Sequence, residues 1–555
     1  MNGYSRRSFC SACAGLLLGA CADVKLPTSF SDLGVGQAKG PTLDKVGELP
    51  RPPSRTWPDA KDDLNIARAD GWGLVSSPEM EGYLNSLLAT IKKTAGTPGY
   101  PGSVHLIGDP SLNANSSGSG NIFVSMGWIQ MAESEDEIFA ILSHEFGHIY
   151  LNHHALYDVK TAGETTATVV SVAWSLANKT PNAHAWSGID NIAVIETLGT
   201  RVMFPAWKRS IEEQADRFGA TVSLRCGYSY VDGFKTFLER IATYDQEAKT
   251  NRAKLRDEQA KVVREKATKD AAAKSGTQAM SGLNVSAMQL ASVGGLSQAV
   301  ATYASSNADL TGQAFDIQHA LENEIADQME KLHDDHGDPK AREASLRELV
   351  RPLIGNNMPD ARVAPWNAVR KRGAVAQQIA HYSAVGDLQS AQAGGQYAQA
   401  LQLAQTIASG ATSNDALPVF LLANSMSLAG SRQADAQMQV LMRNLNAHER
   451  SWQIQTAVAS RMAAHDANKS ESFLLGQFDY FDKVSVACPG LISYYRDRGN
   501  LPRAQQLAQT CSAQHLDMAS ACTAAATPPR QKAEDHGIGH AKELLEKVLP
   551  KNLFQ

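Results

Sequence analysis

Two histidines lie four residues apart with a glutamate beside the first, in the segment His144-Glu145-Phe146-Gly147-His148. In a helix this spacing places both imidazoles on one face, so that both can bind a single metal ion. Glu145 then lies where its carboxylate can take a proton from a water molecule at the metal. His144 and His148 are therefore predicted metal ligands, and Glu145 is the predicted catalytic base. A helix that only exposes histidines is the alternative interpretation.

A catalytic zinc ion needs a third protein ligand, and the sequence offers two candidates. His154 is ten residues after the first motif histidine, but Leu151 stands where a chain reversal would need glycine, so a continuing helix would carry His154 away. Glu212 and Asp216, in the second motif Arg209–Gly219, share one helical face. We predict Glu212 as the third ligand and Asp216 as the acceptor of a hydrogen bond from a ligand imidazole. Alone, this segment would be interpreted as an exposed acidic helix.

Together the two motifs resemble the BepA/HtpX-like zinc metallopeptidases, a family that also includes the CAAX prenyl proteases. The resemblance covers residues 78–225 and implies one zinc ion per chain, bound by the two motif histidines and by Glu212. Arg209 matches the family's arginine three residues before that glutamate, so the resemblance places it, with Asp216, among the residues that support the ligands. In such a site zinc activates a water molecule, the carboxylate of Glu145 removes its proton, and a peptide bond is hydrolysed.

The resemblance also implies a sheet edge that binds substrate ahead of the first motif. Asn113-Ala114 and Gly120–Gly127 resemble the family's edge strand and the glycine that follows it. An extended substrate would pair its main chain with this strand, which gives affinity without demanding a particular sequence and suits unfolded or misassembled proteins. The residues predicted to form this substrate-binding edge strand are Ile122, Phe123, Val124 and Ser125.

The resemblance resumes at His336-Gly337-Asp338-Pro339, and Arg342 follows the histidine by six residues. Soluble members of the family carry a histidine near the zinc, usually followed by proline, where this sequence has Gly337. By resemblance, His336 either takes the fourth zinc position in a resting state or polarises the substrate carbonyl, and Arg342 supports the oxyanion. A solvated acidic turn around His336 is the competing interpretation.

The N-terminus carries a predicted secretory signal, a short apolar run after two arginines. The run ends in Leu18-Gly19-Ala20-Cys21, which resembles a lipobox with Cys21 as the lipidated residue. Ser5–Phe9 also resembles a twin-arginine export motif, with an ordinary signal as the alternative. We therefore predict a signal peptide over 1–20 and a lipid-anchored tether and linker over 21–77. The expected location is the periplasm, with the anchor in the outer membrane.

The elements that position the chemistry are predicted to be mainly helices with a small β-sheet. Ser134 with Glu137 predicts a capping box at the start of the first motif's helix. Residues 78–355 are the predicted zinc metallopeptidase domain, of α+β zincin type, interrupted by a helical, low-complexity insertion over 243–313. Residues 528–555 are predicted to form a C-terminal helix or tail.

An all-helical repeat domain is predicted over residues 360–527. Gly395, Gly430 and Gly499 recur at steps of 35 and then 69 residues, which is close to one and two tetratricopeptide periods. We therefore expect tetratricopeptide-like repeats, with an accidental match in an alanine-rich helical array as the alternative. A disulfide is expected among Cys488, Cys511 and Cys522, although the sequence does not choose the pair.

Composition excludes several classes of protein. The 555 residues are 43% hydrophobic, which excludes a mainly disordered chain, and no uninterrupted apolar stretch of about 18 residues occurs, which excludes a polytopic membrane protein. The net charge of −5 gives no basic excess, so nucleic acid is not an expected partner.

Two functions agree with these observations. The first is a membrane-anchored zinc metalloendopeptidase in protein quality control or outer-membrane protein assembly. Its substrates would be unfolded or misassembled proteins, and by resemblance its repeats would bind the outer-membrane β-barrel assembly machinery. The second is a tetratricopeptide scaffold or chaperone with latent or minor proteolytic activity. Every residue that catalysis requires is present, which favours the enzyme.

Overall fold

The computed structural model describes residues 43–156, 209–282, 338–354, 358–430, 434–515 and 518–527, all within the unit Gly40–Gln555. The predicted signal peptide, Cys21, His336, residues 283–313 of the insertion and the tail 528–555 lie outside the described residues. Within the described ranges, no helix is both long enough and apolar enough to span a membrane.

A four-stranded sheet precedes the first motif. Its strands are β1 (Leu74–Val75), β2 (Val104–Ile107), β3 (Ala114–Ser116) and β4 (Ile122–Ser125), in the spatial order β1-β2-β4-β3. β2 and β4 run parallel, whereas β1 and β3 run antiparallel to their neighbours. β4 is buried at every position, and its Ile-Phe-Val run suits a strand covered on both faces.

The predicted substrate-binding edge strand is an inner strand, so that prediction was wrong. Ile122, Phe123, Val124 and Ser125 all pair with β2 on one side, and the first three also pair with β3 on the other. The edge of the sheet on this side is β3, which lies in the segment marked by the resemblance at Asn113-Ala114. Its Ala-Asn-Ser sequence lacks the β-branched and aromatic residues that indicate a strand, which is why local pattern did not reveal it.

The first motif helix, Glu135–Tyr150, begins at the predicted capping box. The Ser134 hydroxyl accepts a hydrogen bond from the Glu137 amide at 3.1 Å. The Glu137 carboxylate accepts from the Glu133 amide and also pairs with Arg240 of the helix Thr236–Gly282. All 16 residues of this helix are buried, so its ligands lie inside the protein rather than on an exposed face.

The second motif helix, Arg209–Arg225, packs closely along the first because two glycines lie at the crossing. A Cβ on Gly219 would lie 3.0 Å from the backbone nitrogen of His144, and a Cβ on Gly147 would lie 3.2 Å from Cα of Ala215. Any larger side chain at either position would force the helices apart. The glycines thus set the distance between the two motifs.

Part of the predicted tether is folded. Leu43 is buried, the Gly47 amide donates to Thr221 of the second motif helix at 2.9 Å, and the Tyr150 hydroxyl donates to the Pro50 carbonyl at 2.7 Å. A helix over Ala60–Ala69 follows. Residues 43–58, which we call the N-terminal strap, therefore contact both motif helices. The strap forms neither a helix nor a strand, so its sequence shows no hydrophobic periodicity. It is held by contacts with residues that are distant in sequence.

The remaining regular secondary structure of the described residues is helical. Apart from the two motif helices and Thr236–Gly282, the α-helices are Ala60–Ala69, Pro78–Thr94, Met126–Met131, Pro339–Val350, Val363–Arg370, Gly373–Ser383, Val385–Ala393, Tyr397–Ile407, Ala416–Leu428, Ala434–Met442, Trp452–Ala463, Ala467–Tyr480, Cys488–Asp497, Leu501–Gln514 and Ala519–Ala526. A mainly helical chain with a small N-terminal sheet and a helical C-terminal region confirms the predicted fold class.

In the C-terminal region consecutive helices pack on each other. Gly395, Gly430 and Gly499 have φ values of 71°, 81° and 76° in turns between helices, a conformation that glycine adopts without steric cost. The spacing of the glycines thus corresponds to turns, while the tetratricopeptide assignment stays a prediction. The expected disulfide joins Cys511 to Cys522.

Candidate metal centre

Three side chains from the two motif helices bring one ligand atom each to a common point. The ligand atoms of His144, His148 and Glu212 all lie within 4.8 Å of one another, and all three residues are buried. Nε2 of His144 lies 3.5 Å from Oε2 of Glu212, and Nε2 of His148 lies 3.6 Å from Oε1. The structure thus brings together the three residues that were predicted as metal ligands.

Asp216 lies behind the first of these histidines. Its Oδ1 is 2.9 Å from Nδ1 of His144, one turn along the helix from Glu212. Burial lowers the pKa of His144, but hydrogen bonds to Asp216 and Glu212 outweigh burial and raise that pKa to about 10. A hydrogen held on Nδ1 directs the Nε2 lone pair of His144 toward the ligand cluster, which is the orientation that metal binding requires.

Arg342, from the helix Pro339–Val350, is only 3% exposed and holds both acidic residues. Its Nε and Nη2 donate to the two carboxylate oxygens of Asp216 at 2.9 and 2.8 Å, and Nη1 lies 2.8 Å from Oε2 of Glu212. Burial alone would raise the pKa of Asp216, but Arg342 and His144 hold it below its usual range. These contacts support a positioning role for Arg342 instead of the predicted contact with an oxyanion.

Glu145 is 7% exposed, and its charge contributes to raising the pKa of Arg342. Three buried carboxylates, those of Glu145, Glu212 and Asp216, thus lie near the guanidinium of Arg342 and the imidazole of His144, whose pKa is raised. Buried carboxylates are costly unless cations compensate them, and a divalent metal ion would take the place of the proton on Nε2 of His144. The charge balance and the two-histidine, one-glutamate ligand set both fit a divalent metal such as zinc.

Two other residues that the sequence placed at the metal centre, Arg209 and His336, are not found there among the described residues. Arg209 does not contact Glu212; its Nε donates to Glu213 at 3.0 Å, and its side chain is 55% exposed. The prediction that Arg209 supports the third ligand is therefore not matched by its position, because the i,i+4 pairing with Glu213 turns it to the other side of the helix. His336 lies outside the described residues.

Sequence reasoning missed one histidine at this centre. Nδ1 of His153 lies 2.9 Å from Nδ1 of His148, and His153 is 1% exposed. The signal that could have revealed it is Asn152, a residue type that ends helices in a left-handed conformation.

Comparison with known proteins shows what this part of the chain is similar to. Residues 78–349, just under half of the chain, match the model of peptidase family M48. A protein of Vibrio cholerae is 24% identical over 169 residues, which are 30% of this chain and 34% of that protein. The beta-barrel assembly-enhancing proteases of Escherichia coli strain K12 and Shigella flexneri are each 25% identical over 170 residues, again 30% of this chain and 34% of theirs. The chain thus spans about a third of the length of the curated relatives it matches.

Proposed function

Because residues 78–349 match the model of peptidase family M48, we propose that the chain is a zinc-dependent endopeptidase whose metal ligands are His144, His148 and Glu212. The observation that carries the proposal is the buried convergence of their ligand atoms within 4.8 Å. Two histidines and one glutamate form the ligand set of known catalytic zinc sites. When bound, zinc would polarise a peptide carbonyl and lower the pKa of its water molecule to about 7.

Three residues of the chain have distinct roles in the proposed reaction, one in proton transfer and two in positioning the ligands. Glu145 takes the proton of the attacking water and delivers it to the departing amine. Asp216 holds the tautomer and ring orientation of His144, while Arg342 fixes the carboxylates of Asp216 and Glu212 relative to each other. We assign no step to His336.

The edge strand β3 is the proposed site for substrate main chain. β3 packs on the first motif helix. One side of β3 pairs with β4, with Asn115 opposite Phe123. Main-chain pairing along the outer side would present an extended peptide beside the metal centre whatever its side chains are. This mode of binding suits unfolded or misassembled proteins.

The relatives named beta-barrel assembly-enhancing proteases support a more specific role. We propose a periplasmic lipoprotein, anchored through Cys21 to the outer membrane and exported by the general or the twin-arginine route, that degrades misassembled outer-membrane proteins. The C-terminal helical region would act as tetratricopeptide-like repeats that bind those proteins or the β-barrel assembly machinery.

Replacing Glu145 by glutamine tests the proposed chemistry. The variant should retain the metal content of the wild type, because Glu145 is not a ligand. Cleavage of unfolded casein should fall about 100- to 10,000-fold, the usual contribution of a general base. Zinc content and casein cleavage are measured on the same preparation.

The matched control is Glu213→Gln, the same chemical change on a half-buried glutamate that pairs with Arg209 and Arg217. It should leave cleavage unchanged. Full activity in Glu145→Gln, or an equal loss in both variants, would contradict the proposal.

A further inference from the structure

The buried histidine His153 faces the metal ligand His148 from the side opposite the ligand cluster. Nε2 of His148 is directed toward Glu212 and His144, at 3.6 and 3.2 Å. Its other ring nitrogen, Nδ1, lies 2.9 Å from Nδ1 of His153. Both side chains are 1% exposed, so water does not compete for this contact. The two rings meet edge to face, with centroids 5.0 Å apart.

The backbone makes a special turn to place His153 there. The first motif helix ends at Tyr150, and Asn152 adopts a φ of 58°, which is uncommon for a residue other than glycine. A continuing helix would place residue 153 about 140° around the axis from His148, away from its ring. Because the chain reverses at Asn152, His153 begins a short 3-10 turn that lies against the end of the helix.

The N-terminal strap supports this turn. Nη1 of Arg55 donates to Oδ1 of Asn152 at 2.9 Å, and the guanidinium of Arg55 lies 3.6 Å from the ring centroid of Trp57. Asparagine adopts this conformation more readily than most other residues, and the contact with Arg55 holds the turn in place. The position of His153 beside His148 therefore depends on a segment nearly a hundred residues earlier in the chain.

We infer that His153 is a positioning residue that fixes the ring orientation and tautomer of His148, and this inference rests on the proposed zinc site. A neutral imidazole that offers Nε2 to a metal keeps its hydrogen on Nδ1, and Nδ1 of His153 accepts that hydrogen bond. The two histidine ligands therefore have unlike supports. His144 is held by the charged carboxylate of Asp216, and His148 by a neutral imidazole.

Metal affinity tests the inference without depending on peptidase activity. In the full-length chain carrying Glu145→Gln, the zinc dissociation constant is measured by competition with a chromophoric chelator. His153→Phe keeps a buried ring but removes the acceptor, so it should weaken zinc binding about 10- to 100-fold and alter the visible spectrum of the cobalt(II)-substituted protein. His153→Asn, whose side-chain oxygen can take the place of Nδ1, should restore most of the affinity.

The matched control is His154→Phe, the same change one residue away, where the ring lies 3.5 Å from the Ser116 hydroxyl of β3. It should bind zinc with wild-type affinity. Wild-type affinity in His153→Phe, equal losses in both phenylalanine variants, or failure of the asparagine variant to restore binding would overturn the inference.

If His153→Phe does not fold, the hydrogen bond is measured in the wild type. In the zinc-loaded, ¹⁵N-histidine-labelled protein, a scalar coupling between the two Nδ1 atoms supports the inference, and a freely exchanging His148 Nδ1 proton overturns it.

These outcomes separate the inference from the proposed function. A wild-type chain that bound no zinc would overturn both. A wild-type chain that bound zinc, together with an unaffected His153→Phe variant, would overturn only the role of His153.

Discussion

At the scale of single residues, the centre depends on how buried charges are balanced. Arg342 is the guanidinium that contacts both Asp216 and Glu212, so it compensates carboxylates that would otherwise repel each other within the protein. A bound divalent cation would share this task. The arginine should therefore matter more for the metal-free chain than for the metal-loaded one.

Replacing Arg342 by methionine should lower the stability of the metal-free protein by about 3–5 kcal/mol, the usual cost of leaving a buried charge unpaired. Excess zinc should raise the melting temperature of this variant more than that of the wild type. Thermal unfolding is measured with zinc and with chelator. The control is Arg347→Met on the same helix, where the side chain is 51% exposed and pairs only loosely with Glu343 at 3.6 Å. A similar response to zinc in both variants would contradict the predicted role.

At the scale of secondary-structure elements, the close crossing of the two motif helices decides whether the ligands can meet. Gly219 packs on the backbone at His144 and against the ring of Phe234. Substitution by alanine would force a clash with rigid atoms, because neither a backbone nor an aromatic ring yields easily. The distance between the third ligand and the two histidines would then increase.

We expect Gly219→Ala to lower the free energy of unfolding by about 1–3 kcal/mol and to weaken zinc binding as well. Denaturant unfolding and chelator competition measure the two effects. Gly82, exposed in the helix Pro78–Thr94 with no neighbouring atom within 4 Å of an added Cβ, provides the control. Gly82→Ala should be neutral or stabilise the protein by about 0.5–1 kcal/mol. Unchanged zinc affinity in Gly219→Ala would contradict the prediction, because the three ligands would then still meet although the two motif helices lie further apart.

The elements also show what the sequence could predict. The capping box at Ser134 and the helical spacing of His144 and His148 are local signals, and the structure has the helix they predicted. The folded strap depends on partners far along the chain, which no local pattern records. β3 is the edge strand because β4, which follows it in the chain, lies between β3 and β2. Asn152 is a local signal for a turn, but its contact with Arg55, nearly a hundred residues earlier, is not recorded in any local pattern.

At the scale of the whole molecule, the C-terminal helical region is joined to the start of the first motif helix. The Arg362 amide donates to Asp136 at 2.6 Å, and its carbonyl accepts from the Glu135 amide at 3.0 Å. The buried indole of Trp366 donates to the Ala132 carbonyl at 2.7 Å. Further along, the helix Val385–Ala393 packs on Thr236–Gly282. These contacts are of the kind that makes two regions unfold as one cooperative unit.

We therefore expect one calorimetric transition for the full-length chain and two for Trp366→Ala, because the cavity and the lost hydrogen bond would cost about 3–5 kcal/mol at the junction itself. Trp452 provides the comparison, since it is equally buried but lies within the helical region, against Phe478 and Phe481. Trp452→Ala should lower the transition temperature without dividing the transition. Two transitions in the wild type, or the same profile for both variants, would mean that the peptidase domain and the helical region fold independently. A scaffold function separable from proteolysis would then gain support, because the helical region could bind proteins without affecting the metal centre.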